Sequence, residues 1–139
     1  MNLNNLYDLA EKEHIKIYNY YIENAYGCFI NIDKVNAIAL NYSELDSSVD
    51  EKCVLSEELG HYYMDATYPV NTKDQTLIDK QEYKAKKFSY NMLIPFENLK
   101  LAILKRKQYS LCSCRIFRSN NSIYAKCNWF LYRKIWRFY

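Results

Sequence analysis

No apolar run in the 139-residue chain approaches the roughly 18 residues that a membrane-spanning helix needs, which argues against a transmembrane protein. The opening residues, MNLNNLYDLAEKEH, lack a basic stretch leading into an apolar one, so a cytoplasmic location with reduced thiols is expected. Cys-x-x-Cys pairs are also missing. Cys28, Cys53, Cys112, Cys114 and Cys127 fit no zinc-finger spacing and read as free thiols. Arginine is absent from residues 1–104, where ten lysines face all sixteen acidic residues for a net charge of −6. Acidic residues are absent from 105–139, which hold nine basic residues and both tryptophans. Two unlike compositions meet near Leu104.

A basic, aromatic tail can serve RNA or an anionic membrane. A body of charge −6 repels phosphate, however, and direct nucleic-acid or membrane binding is not expected. The genetic code offers a better explanation. Asn, Lys, Ile and Tyr, whose codons are rich in A and T, dominate the chain. In such DNA the tail's Arg, Trp and Cys codons, read one base later, supply Asp or Glu, Gly, and Ala or Val. Residues 105–139 therefore read as a frameshift product, expected to pack poorly, and residues 1–104 as one domain.

Within that domain, Leu3, Leu6, Tyr7 and Ala10 recur at helical spacing over 2–13. The period then becomes two at Ile15 and Ile17, at Tyr26, Cys28 and Ile30, and at Val35, Ala37 and Ala39, with a short turn at Asp33-Lys34. Three antiparallel strands are the simplest arrangement. A polar connection, 43–50, leads to a helix capped by Asp50 and running to about Met64. Another long helix spans Gln75 to Asn91, closed by Ile94-Pro95, and Pro95 can start a short helix over FENLKLAI. The expected class is α+β.

The chemistry concentrates in CVLSEELGHYY, 53–63. Glu57 and His61 are four apart on one helical face and can reach a common ion, with Glu58 at the edge of the same site. An exposed Glu57–His61 ion pair is the plain alternative. The spacing is that of the zincin helix, HExxH, with Glu57 in the first ligand place. In the next helix Glu82 interrupts the apolar stripe Ile78, Ala85, Ser89 and Met92. A carboxylate there is solvated, paired with a cation such as Lys86, or a third metal ligand. Gly60, inside a helix, marks a close approach by another backbone. His14, ending the first helix, has no ligand partner at metal spacing and is expected to face solvent.

VLSEELGHYY (54–63) and EYKAKKFSYNMLIP (82–95), in this order and spacing, resemble the ImmA/IrrE family of metallopeptidases, and VNAIALNYSEL (35–45) looks like that family's last strand and its connection to the active-site helix. The resemblance covers about 1–104. It implies a small three-stranded sheet on zincin-like active-site helices, zinc held by Glu57, His61 and Glu82, and Glu58 as the catalytic acid and base. Glu57 departs from the family's usual histidine. The implied activity is cleavage of a helix-turn-helix repressor of a prophage or mobile element, with an edge strand near Ala37 to Leu40 holding the substrate. The alternative is a weak or inactive relative that binds a regulator without cutting it. The sequence leaves the oligomeric state open.

Overall fold

The computed structural model describes residues 1–69, 71–94 and 97–98. Helix α1, Leu3–Lys12, starts at Asn2, whose side chain accepts the Asn5 N–H at 2.9 Å, satisfying one of the helix's free amides. It ends in a Schellman turn. His14 takes φ 56°, its N–H and that of Ile15 return to the carbonyls of Glu11 and Ala10, and Ile15 is dropped into the core. His14 is exposed, as expected.

Three strands follow, β1 Lys16–Asn19, β2 Gly27–Ile32 and β3 Val35–Leu40. Asp33 and Lys34 both have positive φ, 49° and 66°, so a two-residue turn joins β2 to β3 as a hairpin whose twist suits the strands. The spatial order is β1-β3-β2. The sheet is mixed, because β1 pairs with β3 in parallel while β2 pairs with β3 antiparallel. This corrects the all-antiparallel expectation. The connection between Asn19 and Gly27 is too long for a tight turn and lets the hairpin insert β3 next to β1. It is tied down by Asn41, 1% exposed, whose side-chain amide donates to the carbonyls of Ile22 (3.0 Å) and Ala25 (3.3 Å). β3 is thus the central strand, not an edge, and the substrate edge expected at Ala37 to Leu40 is corrected; β2 is the edge on that side.

Helix α2, Ser48–Tyr63, is capped by Ser47 instead of Asp50, with Ser47 Oγ accepting the Asp50 N–H (3.2 Å) and donating to the Asp50 carboxylate (2.6 Å). Asp50 sits in the first turn, where an acid favours the positive helix end. Helix α3, Gln75–Leu93, is capped by Asp74. α2 touches α1, β2, β3 and α3, and residues 53–61 are buried nearly all round. Leu55 and Leu59 on α2 join Leu6 and Ala10 of α1, Ile15, and Ile38 and Leu40 of β3 in the core. The class is α+β.

The chain divides into two units, Met1–Ile94 and Pro95–Tyr139, and everything above concerns the first. Apart from helical residues at 97 and 98, the expected short helix after Pro95, the tail's three cysteines and the frameshift reading lie outside the described residues. No described helix is long and apolar enough to cross a membrane.

Candidate metal and catalytic site

Helices α2 and α3 pack through small residues. Ser56 and Ser89 share a hydrogen bond at 2.5 Å, and a Cβ on Gly60 would stand 2.5 Å from the Ala85 carbonyl oxygen. That distance is impossible for a real side chain, so Gly60 is required by backbone approach, as its position in the helix led us to expect. Four residues forward on α2 match four residues back on α3. The same register carries the charged pairs, placing Glu57 against Lys86 and His61 against Glu82.

His61 is 8% exposed and fixed from behind. α2 ends in a second Schellman turn, with Asp65 at φ 46° and the N–H groups of Asp65 and Ala66 returning to Tyr62 and His61. The turn brings the Ala66 carbonyl to His61 Nδ1 at 2.7 Å. A carbonyl only accepts, so Nδ1 carries the hydrogen and Nε2 faces Glu82, 3.5 Å from its Oε1. Metal-binding imidazoles are oriented in this way, by a carbonyl on the remote nitrogen. Tyr62 and Tyr63 brace the helix end. Both donate to Glu13 at 3.1 Å, Tyr62 meets Phe29 edge-on, and Tyr63 stacks on Phe88.

Glu58, 8% exposed, lies under the start of β2 and within electrostatic reach of Glu57 and Glu82. A Cβ on Gly27 would come within 3.2 Å of its side chain and 2.6 Å of Val54. Burial, then the charge of Glu57, pushes the Glu58 carboxyl up to about 8, against a hydrogen bond from the Phe29 backbone. Burial also raises Glu57, with Lys86 opposing. For Glu82 burial acts upward too, but it is outweighed by Lys86, Tyr68 and His61, and the carboxyl is held below its ordinary range. Lys86 reaches Glu82 Oε2 at 2.9 Å and Glu57 Oε1 at 3.4 Å, while Tyr68 donates to Glu82 Oε1 at 2.9 Å.

Two ligand atoms on a tetrahedral zinc lie roughly 3.3 Å apart, given bonds of about 2.0 Å. His61 Nε2 and Glu82 Oε1, 3.5 Å apart on a correctly oriented ring, fit that requirement. Glu57 is joined to Glu82 through Lys86. Among the described residues no three metal-capable side chains are gathered closely enough to form a ready-made cage. The sequence offers Lys86 as a partner for Glu82, while sequence reasoning misses Gly27 and Tyr68. Gly27 had a signal, since it and Gly60 are the chain's two glycines, and each lies where another element packs closely, Gly27 against α2 and Gly60 within α2 against α3. Tyr68 had none among fifteen tyrosines.

A family model described as the IrrE N-terminal-like domain, of the M78 peptidases, matches residues 11–113. Comparison with curated proteins and with solved structures gave no match.

Proposed function

The chain belongs to the IrrE N-terminal-like family of M78 peptidases, and from that premise we propose that it is a cytoplasmic, zinc-dependent endopeptidase that cleaves a helix-turn-helix repressor of a prophage or mobile element. The observation that carries this reading is the meeting of His61 Nε2 and Glu82 Oε1 across two helices, with Glu58 buried beside them. Zinc held by Glu57, His61 and Glu82 would supply the Lewis acidity that polarises the scissile carbonyl. Once ionised, which a divalent cation beside it would favour although burial holds the metal-free carboxyl up to about 8, Glu58 takes a proton from the attacking water and returns it to the leaving nitrogen. β2 supports substrate binding. It is an edge strand directly over Glu58, and an extended peptide can add to it through main-chain hydrogen bonds.

The ion pairs of Lys86 with Glu57 and Glu82 favour a second reading, a module that holds its regulator without cutting it. Zinc titration and cleavage assays on repressor substrates separate the two. Glu58→Gln is expected to abolish cleavage while leaving zinc bound, and His61→Ala to lose both. Repressor bound but left whole by the zinc-loaded wild-type protein selects the second reading.

A further inference from the structure

Lys86 is the one feature of the site that a metal centre does not call for. Its ammonium lies 2.9 Å from Glu82 and 3.4 Å from Glu57, bridging carboxylates of two helices. Without it, Glu57 and Glu82 would face each other with Glu58 nearby, in a partly desolvated setting that magnifies their repulsion. An ion placed between His61 Nε2 and Glu82 Oε1 would sit within a few ångströms of Lys86 Nζ, which contacts the other oxygen of the same carboxylate. Two cations that close repel strongly, and Lys86 already engages one oxygen of Glu57, the third ligand. The ammonium and a divalent ion therefore exclude one another. Lys86 has a way out: its side chain is 40% exposed and hangs on a flexible four-carbon stem.

Resting on the reading of Glu57, His61 and Glu82 as ligands, we propose that Lys86 is a resident cation that closes the metal position, so that metal uptake by this chain is an exchange in which the divalent ion displaces the lysine. Lys86 then sets how much free metal the chain needs before its site forms, and holds the two helices in register until that level is reached.

The test uses the full chain, zinc titration by competition with a chromophoric chelator, and thermal melting with EDTA and with zinc. Lys86→Met keeps the stem and removes the charge. It is expected to bind zinc at least tenfold more tightly than wild type. In EDTA it should melt below wild type, since Glu57 and Glu82 lose their countercharge, and zinc should raise its melting temperature by more than it raises that of wild type. Lys86→Arg, which keeps the charge, should gain no affinity. Equal zinc affinity in wild type and Lys86→Met overturns the inference and leaves the metal site standing. Equal melting in EDTA also overturns it. Absence of zinc binding by both proteins overturns the metal reading, and this inference with it.

Discussion

Buried among other carboxylates, Glu58 keeps its proton at neutral pH where an exposed glutamate would have lost it. Its carboxyl titrates near 8 in the folded chain against 4.5 ordinarily, from burial first and from the charge of Glu57 second. The protonated form is therefore the one the fold prefers. Its contribution to stability is fully present below 4.5 and is lost as pH rises through about 8. Melting of the metal-free wild type should accordingly fall across that window. Glu58→Gln, a neutral side chain of the same shape, should flatten the slope and be the more stable protein at the alkaline end, by up to a few kcal/mol. A slope unchanged by the substitution would assign it to other groups. Glu58 stood out in the sequence as a candidate through its neighbours in SEELGH. Its burial was not, because that depends on Gly27 of a distant strand lying across α2.

At the scale of elements, the site is a product of one helix pair. Ser56, Gly60, Ala85 and Ser89 let α2 and α3 approach, and the charged residues one position on along α2 and three back along α3 inherit that spacing. Gly60→Ala tests the dependence sharply, since alanine is the better helix former by about 1 kcal/mol and would stabilise an unconstrained helix. Here the added methyl meets the Ala85 carbonyl, so we expect a net destabilisation of about 1–3 kcal/mol in chemical denaturation. Zinc affinity should fall as well, because the helices part where His61 faces Glu82. The two helices and their order were legible because a 3.6-residue period is local. The cap at Ser47 was not, since Asp50 competes for the same role and ends up as its hydrogen-bond partner. Nor was the Schellman turn behind His61, because Asp65 and not glycine occupies its left-handed position.

For the whole molecule, the α+β class followed from the change of period between the strands and α2, whereas the order of the strands did not. Alternation shows that a strand has two faces and is silent about its neighbours. The parallel pairing of β1 with β3 is a long-range choice, made by the crossing connection and by the grip of Asn41 on the carbonyls of Ile22 and Ala25. That sheet order also bears on the sequence of events by which the chain folds. The β2–β3 hairpin closes over two residues and can form early, in microseconds, while β1 must wait for a strand that is synthesised after it and is separated from it by fifteen residues. Truncating Ile17 to alanine in β1 should therefore speed unfolding and leave the folding rate nearly untouched, whereas Phe29→Ala in the hairpin should slow folding. Stopped-flow measurements showing the reverse partition would mean that the chain begins from its parallel pair.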